Sequence, residues 1–187
     1  LNFANPQIMV AYDDSNFSAC TDCNVVNNTN GTFVFNVSHF TTYSAQEGQV
    51  GITSCQNLNV PNTYYPLFNN VENESTCFTI SAVNVTLDCR GKMINYSQSA
   101  SGYGVRIEAN NATVKNCIIT NGDSSVGIKS ISIWHTNNSI IINNTITTSS
   151  SSYHQGIEID NGTNNFLANN TINVTSTTED TKGIYFT

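Results

Sequence analysis

Short apolar and polar alternations recur at a fixed interval along most of the chain. Segments such as Gly104-Val105-Arg106-Ile107 place two apolar residues on either side of one polar residue. The first apolar residue of this segment recurs at spacings of 27, 26, 26 and 27, at Phe78, Val105, Ile131, Ile157 and Ile184. Period-two alternation is typical of a β-strand with one buried face. Each repeat is therefore predicted to open with such a strand.

Two further apolar columns follow in the same phase. The second column is Leu87, Val114, Ile141 and Leu167, and the third is Met93 or Ile94 followed by Ile119, Ile146 and Ile172. A polar turn between the first two columns enters through Asn84, Asn111, Asn138 and Asn164. Each repeat thus contains three short strands joined by tight polar turns.

The repeat length predicts an all-β chain in which successive repeats stack as coils. One unit of about 27 residues cannot bury its own apolar face, but stacked copies can, each pairing with the next. A propeller blade needs four antiparallel strands and about forty residues. A sandwich would not keep three columns in fixed phase. The pattern favours a single-stranded parallel β-helix with three strands per coil.

One asparagine column is expected to reinforce the stack. Asn116, Asn143 and Asn169 take the same place in successive repeats. Side-chain amides stacked at a strand corner can hydrogen-bond from coil to coil, as in cross-β ladders. We therefore expect Asn143 and Asn169 to be buried and to carry no sugar, although a threonine follows each of them two residues later.

The first coils resemble a known group of repeats. The residues that carry the resemblance are Ser54-Cys55-Gln56-Asn57-Leu58 and the segments 64–67, 77–80, 85–91 and 114–117. They resemble the pectate-lyase-like, NosD-type right-handed parallel β-helix repeats of archaeal cell-surface proteins, over roughly 130 of the 187 residues. The resemblance implies a right-handed helix. It is less specific for function, because this scaffold carries lyases, hydrolases, adhesins and structural shafts.

The two ends differ from the repeats. Residues 1–50 do not repeat; residues 8–12 and 32–37 are predicted strands, with a turn at Asn30-Gly31. Residues 33–43 resemble the last strand of a β-sandwich module, so residues 1–50 are interpreted as the end of a sandwich domain or a cap. Residues 51–187 are assigned to the β-helix. The pattern stops after the first strand of a fifth repeat, and we expect either further coils or another subunit to follow Thr187.

Charge and hydropathy exclude several partners. Only 10% of the residues are charged and the formal net charge is -7. Nucleic acid is excluded because binding it depends on neutralising phosphates, and anionic membrane surfaces are disfavoured for the same reason. No apolar run is long enough to span a bilayer, so direct membrane insertion is not expected.

Six cysteines and many glycosylation motifs favour an oxidising, extracellular compartment. Buried free thiols in a cytosolic protein are the alternative. Asn-x-Ser/Thr occurs thirteen times, more often than the composition gives by chance, and part of the excess comes from the asparagine column. We predict N-glycosylation at Asn16, Asn27, Asn30, Asn36, Asn73, Asn84, Asn95, Asn111, Asn137, Asn161 and Asn173.

Three disulfides are predicted from position. Cys89 and Cys117 take nearly equivalent places in neighbouring coils, which brings their Cα atoms within bonding range. Proximity in sequence suggests the other pairs, Cys55 with Cys77 and Cys20 with Cys23. A redox or metal role for Cys20-x-x-Cys23 remains an alternative, but no second cysteine or histidine pair completes a zinc site. Neither a metal nor a cofactor is predicted.

The best candidate for surface chemistry lies after the first strand of the repeat. Glu108, Trp134 and Asp160 share a column, and Arg106, Glu158 and His135 accompany them. Two coils separate the two acids, so they are expected roughly 9 to 10 Å apart, near the upper limit for an inverting glycosidase. Trp134 could stack on a sugar ring. The alternative is that these residues share a column by chance and that Trp134 only covers a turn.

Asp88 is expected to contact Lys115 on the next coil.

The sequence therefore suggests an extracellular glycosylated structural protein of a cell-surface layer, sheath or filament. Its expected partners are copies of itself or other surface-layer proteins. The alternative is a β-helix protein that binds carbohydrate or cleaves polysaccharide.

Overall fold

The computed structural model describes residues 6–11, 17–29, 32–47, 49–122, 128–150, 153–176 and 181–187. The chain forms two compact units, Leu1–Gln49 and Val50–Thr187. Among the described residues, none belongs to a helix with the length and apolarity needed to cross a bilayer. All regular structure in these residues is β-strand.

The strands are short and follow one another closely along the chain. In the described residues they are β1 (Pro6–Ala11), β2 (Ser18–Ala19), β3 (Asn24–Thr29), β4 (Thr32–Asn36), β5 (Thr42–Glu47), β6 (Gln56–Leu58), β7 (Tyr64–Pro66), β8 (Val71–Glu72), β9 (Phe78–Ile80), β10 (Thr86–Asp88), β11 (Met93–Tyr96), β12 (Tyr103–Ile107), β13 (Thr113–Lys115), β14 (Ile118–Asn121), β15 (Lys129–Trp134), β16 (Ile140–Ile142), β17 (Thr145–Ser150), β18 (His154–Asp160), β19 (Phe166–Ala168), β20 (Thr171–Ser176) and β21 (Thr181–Phe186).

The second unit is a parallel β-helix of about five turns, which confirms the predicted fold. Every third strand joins the same parallel sheet. The first sheet contains β6, β9, β12, β15, β18 and β21; the second contains β7, β10, β13, β16 and β19; the third contains β8, β11, β14, β17 and β20. Each coil thus contributes one strand to each sheet, and its hydrogen bonds run to the coils before and after it.

Strand register confirms the apolar columns. Val105 pairs with Phe78 and Ile131, and Ile157 pairs with Ile131 and Ile184. The second column pairs in the same way, as Leu87 with Val114 and onward to Ile141 and Leu167. In the third column, the partner of Ile119 is Ile94 and not Met93. These columns face inward, and most of their members are completely buried.

The β-helix contains an earlier coil that periodicity did not reveal. Gln56 on β6 pairs with Phe78, Tyr65 on β7 pairs with Leu87, and Val71 on β8 pairs with Ile94. This coil is shorter than the later ones, and a polar residue takes the first position of the first column. Because of these two differences, this coil does not fit the repeat of about 27 residues.

Asparagine in the left-handed region forms the turns. The predicted turn residues Asn84, Asn111, Asn138 and Asn164 all have φ between 56° and 60°. Asparagine adopts this conformation more readily than other residues with a side chain, glycine apart. The backbone N–H of Asn111 donates to the carbonyl of Asn137 on the next coil, at 3.0 Å. The turns therefore continue the hydrogen bonding between coils where the strands end.

The predicted asparagine ladder is displaced by one residue. Asn143 and Asn169 are exposed, with φ of 56° and 53°, so the expectation that they are buried is wrong. The amide of Asn144, which is 1% exposed, donates to the side-chain oxygen of Asn170 at 3.0 Å. In the preceding coil, Cys117 takes this position and its N–H donates to the Asn144 side chain. Left-handed φ at Asn143 and Asn169 marks the corner, and the residue that follows each corner points inward.

The first unit contains two small antiparallel sheets in its described residues. β1 pairs with β2 and β5, and β3 pairs with β4. Residues 33–43 do not form one strand, because β4 ends at Asn36 and β5, which belongs to the other sheet, begins at Thr42. The strand at Asn24–Thr29 was not predicted, since it lacks alternation. The predicted Asn30-Gly31 turn lies outside the described residues.

Candidate functional site

All six cysteines are paired. The disulfides are Cys20–Cys23, Cys55–Cys77 and Cys89–Cys117, the three pairs expected from position. The Cα atoms of Cys89 and Cys117 lie 4.7 Å apart, because Cys89 directly follows β10 and Cys117 directly precedes β14 on the neighbouring coil. Cys77, Cys89 and Cys117 are buried in the core of the β-helix, so two of the bonds clamp its first coils together.

The outward face of the first sheet brings the predicted patch residues together. Trp134 pairs with Asp160, and Glu108 directly follows Ile107, whose partner is Ile133. Arg106 and Glu158 both pair with Ser132 and therefore lie two coils apart in one column. Trp134 remains 41% exposed. Strand register thus places five of the six patch residues on adjoining columns, with His135 next to Trp134.

Arg106 and His135 lie beside the two acids of this patch, the exposed Glu108 and the half-buried Asp160. Arg106 Nε lies 2.8 Å from Glu108 Oε1, and the Arg106 guanidinium stands 4.5 Å from the centre of the Trp134 ring. His135 Nε2 lies 3.9 Å from Asp160 Oδ2, and its ring meets Trp134 edge-on at 5.1 Å. The indole is therefore bordered by charged and hydrogen-bonding groups, an arrangement suited to a ligand with an apolar face and polar edges.

Glu158 is less accessible to a ligand than its place in an outward-facing column suggests. Its side chain is buried, accepts a hydrogen bond from Ser132 Oγ at 2.7 Å and lies 2.6 Å from Lys129 Nζ. A buried carboxylate with both oxygens engaged supports the local structure. Glu158 therefore fixes Lys129 and Ser132 in place and presents little surface to a ligand.

Sequence reasoning missed two members of this face. Tyr103 pairs with Lys129 at the start of β12 and β15, and its ring lies 5.0 Å from the Arg106 guanidinium and 5.9 Å from Lys129 Nζ. Both residues precede the first apolar column by two positions in their repeats. The same phase analysis that found the apolar columns would have identified them as an outward column.

A second polar cluster lies on the outward face of the second sheet. Asp88 accepts hydrogen bonds from Tyr64 Oη at 2.6 Å and Asn116 Nδ2 at 2.9 Å, and lies 3.5 Å from Lys115 Nζ as predicted. Burial raises the pKa of Asp88, but hydrogen bonds from Tyr64, Asn116 and the Arg90 N–H and the charge of Lys115 outweigh it, so the pKa lies below its ordinary value. This cluster joins three coils and stabilises the sheet.

The structure shows how the predicted glycosylation sites are presented. Asn16 and Asn30 lie outside the described residues. Asn73, Asn95 and Asn137 are half-buried, and the Asn73 amide donates to the carbonyl of Thr76 at 2.5 Å. The remaining sites have exposed asparagines: Asn27, Asn36, Asn84, Asn111, Asn161 and Asn173.

Comparison of the chain with protein-family models, with curated proteins and with solved structures returned no match.

Proposed function

We propose that this chain is part of an extracellular, glycosylated structural protein of a cell surface, built on a pectate-lyase-like, NosD-type β-helix of archaeal kind. The observation that carries the proposal is the pairing of all six cysteines, two pairs of which join coils of the β-helix. Disulfides of this kind persist in oxidising compartments and are rare in the cytosol. Exposed Asn-x-Ser/Thr sites on the coils and turns support the same compartment.

Intact mass of native material tests this proposal. Denaturation without reduction, followed by thiol alkylation, should add no label, and enzymatic removal of N-glycans should lower the mass. Reduction before alkylation is the control and should add six labels. Material with free thiols and no glycan would contradict an extracellular origin.

Exposed apolar residues support assembly with copies of the chain or with other surface proteins. Ile140 and Phe166 form adjacent rungs on the outward face of the second sheet and are 38% and 59% exposed. Burying such side chains between subunits stabilises a contact by about 25 cal/mol per Å². Replacing Phe166 with Ala should lower the sedimentation coefficient of the assembled protein. An unchanged sedimentation profile would remove this face from the proposal.

Carbohydrate binding is the second candidate function, and the exposed Trp134 favours it. An indole flanked by Glu108, Arg106 and Asp160 offers a stacking surface beside groups that bind sugar hydroxyls. The partner would be a polysaccharide or a surface glycan. The same face would serve a lyase or hydrolase if the two acids acted on the bound sugar.

A matched pair of variants tests this candidate. Trp134→Ala should abolish binding on a glycan array. Phe68→Ala should leave binding unchanged, because Phe68 is a 48% exposed aromatic residue that also lies beneath an arginine, Arg90 at 5.2 Å. If the unmodified protein binds no glycan and cleaves no polysaccharide, carbohydrate function is excluded.

A further inference from the structure

The corner between the second and third sheets presents two asparagines to solvent. Asn143 and Asn169 directly follow β16 and β19, and both are exposed. Their φ angles of 56° and 53° place them in the left-handed region. The corner is tied to the next coil, because the backbone N–H of Asn143 donates to the carbonyl of Ala168 at 3.2 Å. Both side chains therefore lie on the outer surface of a well-defined turn.

The residue after each corner asparagine makes the contacts that join the coils. The Asn144 side chain donates to the carbonyl of Val114 at 3.1 Å and to the Asn170 side chain at 3.0 Å. In the described part of the chain, no residue hydrogen-bonds to the side chain of Asn143 or Asn169. A group attached to these two amides therefore breaks no contact that the described fold uses.

Both corner asparagines begin an Asn-x-Thr motif whose threonine is accessible. Thr145 and Thr171 are exposed and pair with each other at the start of β17 and β20. The middle residue of each motif is asparagine, so the proline that prevents glycosylation is absent from both. Asn116 takes the same corner one coil earlier with φ of 56°, but Cys117 and Ile118 follow it and no motif results. The turn conformation alone therefore does not require a threonine at this position.

We propose that Asn143 and Asn169 each carry an N-linked glycan, which replaces the expectation that burial keeps them bare. The inference rests on the extracellular function proposed above, because this modification is made on exported chains. The donor is an oligosaccharide joined to a lipid through phosphate. The amide nitrogen forms a bond to C1 of the first sugar, and the bond from C1 to the phosphate oxygen breaks, with its electron pair leaving on the phosphate. The amide loses one proton to a base of the transferase.

Strand register places the two acceptor sites side by side. The residues before them, Ile142 and Ala168, pair across β16 and β19, so the two asparagines lie one coil apart. Adjacent strands are about 4.8 Å apart. The first sugars of the two glycans are therefore expected to contact each other. Removing one acceptor should leave the occupancy of the other equal or higher.

The experiment measures the occupancy of each site on the full chain, secreted by cultured animal cells. An N-glycanase acting in heavy-oxygen water converts each glycosylated asparagine to an aspartate that carries the label, and tandem mass spectrometry of chymotryptic peptides locates it. A digest without the glycanase gives the background from spontaneous deamidation. Label is expected at Asn143 and Asn169. Asn138 and Asn164 are matched controls, because they are exposed and left-handed but begin no motif, and they should stay unlabelled.

Variants that remove one motif at a time test the assignment. Thr145→Ala should remove the label from Asn143 only, and Thr171→Ala from Asn169 only; both threonines are exposed, so the fold should be retained. The proposal is overturned for either site that stays bare in the unaltered chain while an exposed site such as Asn84 is labelled, and in that case the proposed function stands. If no motif is labelled, the proposed glycosylated surface protein is contradicted as well.

Discussion

Left-handed backbone conformation accounts for nine of the asparagines in the described residues. At the corners after the first and second inward columns, asparagine adopts positive φ at little cost, whereas most residues with a side chain are strained in that region. Sites such as Asn138 and Asn164 therefore hold asparagine for backbone reasons and not for glycosylation. Asparagine is therefore enriched for two separate reasons, turn conformation and glycosylation, which composition alone does not distinguish.

Asn138 offers a direct test of this interpretation. It is exposed, has φ of 59° and is not itself the asparagine of a glycosylation motif. Asn138→Ala should lower the free energy of unfolding by about 1 to 2 kcal/mol, because alanine pays the steric cost of the left-handed region. Asn138→Gly, which has no Cβ, should stay within a few tenths of a kcal/mol. Denaturant unfolding of the two variants measures the difference, and equal losses would contradict the backbone explanation.

His154 makes stability depend on pH. Its ring is completely buried, neither nitrogen has a hydrogen-bond partner, and burial lowers its pKa to about 4. The unfolded chain, with a histidine pKa near 6.5, takes up the proton first, so stability is complete above about pH 6.5 and declines toward pH 4. The loss at pH 4 should reach about 3 kcal/mol at most.

Comparison with variants isolates the contribution of His154. His154→Leu should flatten the dependence of unfolding free energy on pH between 6.5 and 4. Denaturant titrations at several pH values measure this slope. A slope unaltered in His154→Leu would show that other groups cause it.

At the level of elements, the sequence predicted the strands of the repeating columns and two strands outside them, at residues 8–12 and 32–37, which correspond to β1 and β4. The inward columns were found because burial imposes strict phase on apolar residues. The family resemblance placed residues 54–58 and 64–67 in the first coils, but periodicity did not detect the coil of β6, β7 and β8, because its length differs and Gln56 replaces an apolar residue. The ladder was misplaced by one residue because two asparagines are adjacent at the corners of the later coils, at 143–144 and 169–170, and only the backbone φ shows which one turns inward.

The displaced ladder predicts that substitutions at two neighbouring asparagines change stability by very different amounts. Asn144 donates to Val114 O at 3.1 Å and to Asn170, and it accepts from the Cys117 N–H, which is buried. Asn144→Ala leaves these groups unsatisfied and should cost about 2 to 4 kcal/mol of unfolding free energy. Asn143→Gly removes an exposed side chain, keeps the positive φ and should change stability by less than about 0.5 kcal/mol. Thermal and denaturant unfolding of unglycosylated protein compares them.

At the level of the whole molecule, each coil contacts only the coils next to it, and disulfides add stability to this arrangement. The Cys89–Cys117 bond spans a sequence separation of 28 residues. Closing such a loop lowers the entropy of the unfolded chain by an amount equivalent to roughly 3 to 4 kcal/mol. Replacing both cysteines with alanine should lower stability by that order in denaturant unfolding. A double variant as stable as the parent would show that stacking alone holds these coils.

The sequence predicted the surface patch only in part, for a physical reason. Register fixes which residues share a column, so Trp134 and Asp160 were placed together correctly. Burial of an outward side chain depends on its neighbours, and Lys129 covers Glu158 in a way that one column cannot reveal. In the first unit, Asp22 and His39 come together through tertiary contacts for which the sequence has no repeating signal.

The disulfides are confined to the earlier coils of the β-helix. Every cysteine lies before Ile118, so the earlier coils are stitched together while the later coils, from β15 onward, are held by noncovalent contacts alone. A protease that cuts among the later coils frees a length of chain, but a cut between Cys89 and Cys117 leaves both halves tethered. Proteolysis is therefore expected to remove the coils from β15 onward before it separates the disulfide-bonded coils from one another.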